Sequence, residues 1–183
     1  MKAISIVAVF LVFLASLALI LTQPTGTSGA VNKMYWVDSG TDKVERASPD
    51  GTSIEDLVTG LSVPTGISLA VSGGKMYWTD YGTSKIVRAN LDGTGVQDLV
   101  TSGLVEPRGI EVDAVGGKMY WADRGSQKIQ RANLDGTGVQ DLVTTGLVEP
   151  RGIEVDPSAG KMYWTDEGTL KIQRANLDGT SVQ

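Results

Sequence analysis

Short stretches with two kinds of hydrophobic pattern alternate along residues 31–183 and predict β-strands. In 109–113, Ile110 and Val112 alternate with acidic residues, which predicts a strand with one buried face. The run Lys-Met-Tyr-Trp-Ala-Asp at 118–123 is apolar on both sides at its centre, as expected for a strand covered on both faces. No stretch of 31–183 keeps a helical period over two turns, so we expect an all-β chain.

Two further strands complete this unit. Residues 128–134 and 139–144 have the pattern of strands, and Asp135-Gly136 lies between them. Asp and Gly tolerate the backbone angles of a tight turn, so this dipeptide predicts a hairpin. The unit therefore contains four predicted antiparallel strands within about 43 residues.

The unit is repeated, because the phrase Lys-Met-Tyr-Trp-x-Asp occurs four times. The repeats divide the chain into units of about 31–60, 61–103, 104–146 and 147–183. Four strands in a unit of this length are typical of a β-propeller blade, which buries its apolar surface against neighbouring blades. We therefore predict structural roles for the aromatic and acidic residues of the phrase, which are Tyr35, Trp36, Asp38, Tyr77, Trp78, Asp80, Tyr120, Trp121, Asp123, Tyr163, Trp164 and Asp166.

Two more motifs recur in phase with this phrase. Pro-x-Gly-Ile occurs at 64–67, 107–110 and 150–153, and Arg-Ala-Asn-Leu-Asp-Gly occurs at 88–93, 131–136 and 174–179. Together the motifs resemble the low-density-lipoprotein-receptor class B (YWTD) repeats over nearly all of 31–183. The resemblance implies a six-bladed propeller of four-stranded antiparallel blades that serves as an extracellular protein-binding module without catalysis.

The chain departs from the family pattern at several positions. Val37 and Ala122 replace the Thr of the phrase, so a hydrogen bond from that hydroxyl is not general here. Glu111 and Glu154 replace a residue that is usually small.

The number of strands is also incomplete. The pattern predicts that the first unit lacks its innermost strand and that the last unit ends at Gln183, one residue into its outermost strand. About three and a half repeats predict an incomplete ring with open sheet faces, and therefore part of a longer protein. A closed ring of four blades is the alternative.

Residues 1–30 differ from the repeats. Lys2 precedes an apolar run over 4–21, and Ser28 and Ala30 are small residues at the positions that a signal peptidase recognises. We interpret 1–30 as a secretory signal peptide. An uncleaved N-terminal membrane anchor is the alternative, because the run approaches membrane-spanning length. Both interpretations predict that the repeats lie outside the cytoplasm.

Composition excludes several classes of function. The net charge is −5 and no basic run occurs, which argues against nucleic acid or an anionic membrane surface as a partner. The chain has no His and no Cys, so the commonest general base, a thiol nucleophile and any disulfide are missing. A non-enzymatic protein is expected, and the composition leaves its oligomeric state open.

Four carboxylates recur on the predicted innermost strands and offer oxygen ligands for Ca²⁺; they are Glu111, Asp113, Glu154 and Asp156. The equivalent strand of the second unit has Ser68 instead, so a ring of ligands would be incomplete. The favoured interpretation is that the aspartates stabilise turns and that the glutamates pair with Arg108 and Arg151. We therefore expect no cofactor, with Ca²⁺ as the alternative.

The third and fourth units are almost copies, so their differences stand out. The differences lie mainly in the turn after the motif Asp, where the series are Ser39, Tyr81, Arg124, Glu167 and, three residues later, Asp42, Ser84, Gln127, Leu170. Loops on a rigid scaffold commonly carry recognition. We hypothesise that these loops form one face of the ring and bind a protein partner; the alternative is that the loop tips vary without function.

The sequence thus predicts an exported, non-enzymatic protein-binding module. Two alternatives remain at this stage. One is a secreted propeller enzyme of the Ca²⁺-dependent lactonase or lyase kind, and the other is a truncated chain without a function of its own.

Overall fold

The computed structural model describes residues 18–20 and 33–183, which form four antiparallel sheets and one short 3₁₀ turn at Val71–Gly73. The first sheet contains β1 (Ala18–Ile20), β2 (Met34–Asp38), β3 (Lys43–Ala47) and β4 (Glu55–Thr59). The second contains β5 (Pro64–Ala70), β6 (Lys75–Asp80), β7 (Lys85–Asn90) and β8 (Gln97–Val100). The third contains β9 (Pro107–Asp113), β10 (Lys118–Asp123), β11 (Lys128–Asn133) and β12 (Gln140–Val143). The fourth contains β13 (Pro150–Asp156), β14 (Lys161–Asp166) and β15 (Lys171–Asn176).

The all-β prediction and the four-stranded unit are confirmed. Strands follow one another across each sheet in sequence order, as in a propeller blade. The predicted hairpin signal lies in the turn after β11, where Gly136 has a φ of 87° and its N–H donates to the Asn133 carbonyl at 2.9 Å. Gly tolerates this left-handed conformation because it has no side chain.

The predictions of a missing strand in the first and in the last sheet have different outcomes. The prediction that the first unit lacks its innermost strand is wrong, because β1 pairs antiparallel with β2, with Ala18 opposite Trp36. An unpaired strand edge leaves backbone N–H and C=O groups without partners, and β1 forms hydrogen bonds with these groups of β2. The rest of the predicted signal peptide, 1–17 and 21–30, lies outside the described residues. The fourth sheet has three strands as predicted, and Gln183 exchanges two backbone hydrogen bonds with Arg174.

Each sheet has two distinct faces, because the adjacent Tyr and Trp of the phrase point to opposite sides. We call the side that carries Tyr35, Tyr77, Tyr120 or Tyr163 the Tyr face and the side that carries Trp36, Trp78, Trp121 or Trp164 the Trp face. The hydrophobic clusters show that the Tyr face of one sheet packs on the Trp face of the next, and this arrangement occurs three times.

The indoles make the largest contribution to these interfaces. Trp78, Trp121 and Trp164 are at most 1% exposed. A buried aromatic side chain removes roughly 150–250 Å² from water, which corresponds to an upper bound of about 4–6 kcal/mol each. Trp36 is different, because it is only half-buried and lies on the Trp face of the first sheet, on which none of the four described sheets packs.

The sheets approach most closely at their first strands. Strands β5, β9 and β13 contact one another in turn. A Cβ added at Gly109 would lie 2.5 Å from the Arg151 carbonyl oxygen, and one at Gly66 would lie 2.5 Å from that of Arg108. At Gly66 and Gly109, backbone packing between neighbouring sheets therefore requires the Gly of the Pro-x-Gly-Ile motif.

The stack has two open ends. Among the described residues, the Tyr face of the fourth sheet and the Trp face of the first sheet make no contact that closes a ring. The prediction of an incomplete ring of propeller blades is confirmed. No helix in the described ranges is long and apolar enough to cross a membrane.

Candidate functional site

One edge of the stack collects the turns after the motif Asp and the segments that lead into the first strands. Antiparallel pairing brings them together, because the last residue of the Tyr-Trp strand lies opposite the first residue of the first strand: Asp80 with Pro64, Asp123 with Pro107 and Asp166 with Pro150. We call this edge, comprising residues 39–42, 61–65, 81–84, 104–108, 124–127, 147–151 and 167–170, the loop face.

The motif Asp holds the two parts of the loop face together in the second, third and fourth blades. Asp123 accepts hydrogen bonds from the backbone N–H groups of Val105 and Glu106, both at 2.9 Å, and from that of Ser126 at 3.1 Å. Asp166 accepts three equivalent bonds in the fourth blade. Burial alone would raise the pKa of Asp166, but these backbone hydrogen bonds outweigh it and lower that pKa. The charged aspartate thus fixes the turn against the incoming segment.

The second blade has a shorter version of this arrangement, and in the first blade the motif Asp binds only its own turn. Asp38 accepts from the N–H groups of Gly40 and Thr41, at 2.7 and 3.1 Å. Asp80 accepts from the N–H groups of Ser62 and Thr83, at 3.0 and 3.1 Å.

A network of charges crosses the loop face between the third and fourth blades. Arg124 Nη1 lies 2.6 Å from Glu106 Oε2, and Arg124 Nη2 lies 2.7 Å from Glu149 Oε1. These two hydrogen bonds raise the pKa of Arg124. Because Glu149 belongs to the fourth blade, Arg124 links two blades and does not project freely from its turn.

The network extends on both sides of Arg124. The Arg108 guanidinium lies 4.3 Å from the centre of the Tyr81 ring, within the range of a cation–π interaction. Burial, with the nearby charge of Arg151, lowers the pKa of Arg108. Arg151 pairs with Glu167, and about half of each of these two side chains is exposed. The second, third and fourth blades therefore present a continuous row of aromatic and charged groups.

The predicted partner-binding residues are divided between this row and the turn tips. Tyr81, Arg124 and Glu167 belong to the row, and Ser39 is half-buried in the first blade. Asp42, Ser84, Gln127 and Leu170 share a left-handed backbone, with φ between 51° and 57°. A recurring backbone conformation thus underlies this second series.

The sequence analysis did not identify four residues of the row as candidates for partner binding. Glu106, Arg108, Glu149 and Arg151 come from the segments that lead into the first strands. The identical Val-Glu-Pro-Arg-Gly at 105–109 and 148–152 was the available signal. Exposed apolar side chains flank the row at Val63, Val105 and Val148, which are 37%, 54% and 45% exposed.

The four carboxylates considered for Ca²⁺ do not converge. Asp113 accepts from the Gly116 N–H at 2.7 Å and Asp156 from the Ala159 N–H at 3.0 Å, so both bind their own turns. No group of three or more His, Cys, Asp or Glu residues suited to a metal ion occurs in the part of the chain that the structure describes.

Glu111 and Glu154 do not pair with Arg108 and Arg151, so that prediction is wrong. Residues three apart on a strand point to opposite sides, and the two arginines pair with Glu106 and Glu167 instead. Burial, aided by the neighbouring charge of Glu154, raises the pKa of Glu111 to about 8.

Stacked four-stranded sheets with this connectivity define the chain as β-propeller repeats. The family described as low-density lipoprotein receptor repeat class B matches at 74–114 and 117–157. The chain thus carries at least two repeats of the class B, or YWTD, kind.

Solved structures that are similar to the chain include these two. One is a chain of the crystal structure of a nidogen/laminin complex, with 32% sequence identity and a TM-score of 0.78 over 82% of this chain and 59% of that one. The other is a gluconolactonase from Xanthomonas campestris, with 20% identity and a TM-score of 0.70 over 84% of this chain and 58% of that one. At 20% identity this likeness shows the fold alone. The chain spans about three-fifths of the length of either solved chain. The comparison with curated proteins gives no match.

Proposed function

We propose that the chain is an exported, non-enzymatic protein-binding module whose partner docks on the loop face. The observation that carries the proposal is the row of Tyr81, Arg108, Arg124, Arg151 and Glu167, which hydrogen bonds and packing hold on a rigid stack of sheets. Aromatic and arginine side chains surrounded by apolar groups are the residues that dominate protein interfaces.

The family supports the same function. The similar chain comes from a structure described as a nidogen/laminin complex, in which one protein binds another. The partner we propose is therefore a protein, and laminin is the probe with which to test it. The mixed charges of the row favour a partner surface that carries both acidic and basic side chains.

Alanine variants test the loop face. Tyr81→Ala and Arg151→Ala should each weaken laminin binding, measured by surface plasmon resonance, by roughly 1–2 kcal/mol, or about fivefold to thirtyfold. Val115→Ala is the matched control, because Val115 is 99% exposed in the turn between β9 and β10, away from the loop face. Circular dichroism should show that all variants remain folded. A native chain that binds no laminin, or binding that neither loop-face variant changes, contradicts the proposal.

Export is a separate part of the proposal. Residues 1–30 would direct secretion, and cleavage after Ala30 would also remove β1 from the first sheet. An anchored form would retain residues 1–30, and its apolar run 4–21, which includes β1, would lie in the membrane. Mass spectrometry of the chain recovered from culture medium and from membranes separates the two forms. A full-length chain found only in the cytoplasm contradicts export.

A further inference from the structure

The third and fourth blades differ at a position that decides what one arginine of the loop face can bind. Arg108 and Arg151 occupy the same place in the identical segments that begin β9 and β13. In the fourth blade, Arg151 pairs with Glu167, the residue that follows the motif Asp. In the third blade the residue that follows the motif Asp is Arg124. The third blade therefore has a positive charge where the fourth blade has the carboxylate that binds this arginine.

Glu106 does not replace the missing carboxylate. Its Oε2 lies 2.6 Å from Arg124 Nη1 but 3.8 Å from Arg108 Nη2. At the longer distance the two charges attract each other without forming a hydrogen bond. Among the residues that the structure describes, the Arg108 side chain forms no hydrogen bond, and its Nε is buried without a partner.

The surroundings of Arg108 favour a further anion. The guanidinium lies 4.3 Å from the centre of the Tyr81 ring, and 21% of the Arg108 side chain is exposed. Burial, together with the positive charges of Arg151 and Arg124, lowers the pKa of Arg108. A cation that is largely removed from water is stabilised when an anion forms hydrogen bonds with it. Arg108 lacks such an anion, whereas Arg124 and Arg151 each have one.

We propose that Arg108 binds an acidic side chain of the protein partner, whose carboxylate takes the place that Glu167 has on Arg151. The planar guanidinium can donate two parallel hydrogen bonds to a carboxylate, which distinguishes this group from a neutral amide. A basic side chain is excluded, because Arg124 and Arg151 lie nearby and would repel it. The inference rests on the proposed function of the loop face, because it names the group of the partner that binds there. The carboxylate site itself can be tested without the partner.

Two blocked tripeptides test the site on the full chain. The probe is acetyl-Ala-Asp-Ala-amide, called the Asp peptide, and its control is the peptide with Asn in place of Asp. The measurement is NMR of the arginine Nε–H groups in the chain labelled with ¹⁵N, with sodium chloride added to keep the ionic strength equal. Arg108→Lys and Arg124→Lys assign the two signals that matter.

The Asp peptide should shift the Arg108 signal in a saturable way. We expect a dissociation constant on the order of 10–100 mM, as for one or two charge-assisted hydrogen bonds with a small ligand. The Asn peptide should leave the signal nearly unchanged. The Arg124 signal is the internal control, because two carboxylates already bind this side chain.

Arg124→Glu tests the comparison between the two blades. It gives the third blade the acidic residue of the fourth, so the new carboxylate should occupy Arg108 and abolish the response to the Asp peptide. Gln127→Glu is the matched control, because it places the same side chain on the exposed tip of the same turn and should keep the response. Circular dichroism should show that both variants are folded.

Three results overturn the proposal. They are an Arg108 signal that the Asp peptide does not shift, equal responses to the Asp and Asn peptides, and a response that persists in Arg124→Glu. An equal shift of the Arg124 signal has the same meaning, because it indicates unspecific attraction of the acidic peptide.

Laminin binding separates this proposal from the proposed function. A chain that binds the Asp peptide at Arg108 but no laminin retains the carboxylate site and contradicts laminin as the partner. A chain that binds laminin without a response to the Asp peptide retains the loop face as a binding surface and overturns the role of Arg108.

Discussion

Gly109→Ala tests the close approach of neighbouring sheets, because an identical sequence elsewhere in the chain provides its control. Gly109 and Gly152 occupy the same position in the two copies of Pro-Arg-Gly-Ile-Glu-Val-Asp. A Cβ at Gly109 would lie 2.5 Å from the Arg151 carbonyl oxygen and 3.0 Å from the Gly152 Cα, both backbone atoms of the next sheet. At Gly152 the nearest atom is the Thr165 hydroxyl oxygen of its own sheet, at 3.3 Å.

The magnitude follows from two opposing effects. Alanine is favoured over glycine within a strand by about 0.5–1 kcal/mol, and this gain applies to both positions. Overpacking against backbone costs about 1–3 kcal/mol, and this cost applies only at Gly109. The difference in unfolding free energy between Gly109→Ala and Gly152→Ala therefore reports the packing cost alone, which we expect to be about 1–3 kcal/mol.

The assay is urea unfolding followed by tryptophan fluorescence. Gly109→Ala should shift the midpoint to lower urea, and Gly152→Ala should leave it unchanged or raise it slightly. Thermal unfolding should show a loss of about 2–4 °C for each kcal/mol. Equal stability of the two variants would refute the close contact between β9 and β13.

Three further predictions concern polar and charged groups. The indole N–H of Trp78 is buried without a hydrogen-bond partner, whereas in the third sheet Gln130 accepts the hydrogen bond of the equivalent indole. Val87→Gln should supply such an acceptor and stabilise the chain by about 0.5–1.5 kcal/mol in urea unfolding. Equal or lower stability would contradict this reading. Glu111 has a pKa raised from 4.5 to about 8 when folded, so the folded chain holds a proton that the unfolded chain releases between these values. Stability should therefore fall as pH rises through this interval, by an amount on the order of 1–3 kcal/mol, and Glu111→Gln should remove most of the slope; an unchanged slope would exclude Glu111 as its source. Arg124→Ala should lower stability in urea unfolding at low salt, and by less in high salt, since it removes two ion pairs; a loss that does not depend on salt would contradict their role.

Much of the fold was predictable because the repeat places the same pattern in several positions. The limits of Lys118–Asp123 agree with the prediction to the residue, and the alternation at Ile110 and Val112 identifies a buried face. Local patterns of this kind report on strand formation and on which side is buried. They also predicted that the last sheet would lack its fourth strand.

Contacts between sheets were beyond the reach of local patterns. The proximity of Gly109 to Arg151 and the bond from Arg124 to Glu149 depend on how closely two sheets pack. The predicted pairing of Glu111 with Arg108 failed because alternation on a strand places them on opposite sides. The pairing of Ala18–Ile20 with β2 was also missed, since an apolar run at the start of a chain is typical of a leader.

Accessibility of the four indoles tests the central claim, which is that the Tyr face of each sheet packs on the Trp face of the next. The measurement is ¹⁹F NMR of the chain labelled with 5-fluorotryptophan. Four Trp→Phe variants assign the signals, and the solvent isotope shift between H₂O and D₂O measures exposure. We predict a shift for Trp36 and almost none for Trp78, Trp121 and Trp164. Equal shifts for all four would contradict the stacked arrangement of the sheets.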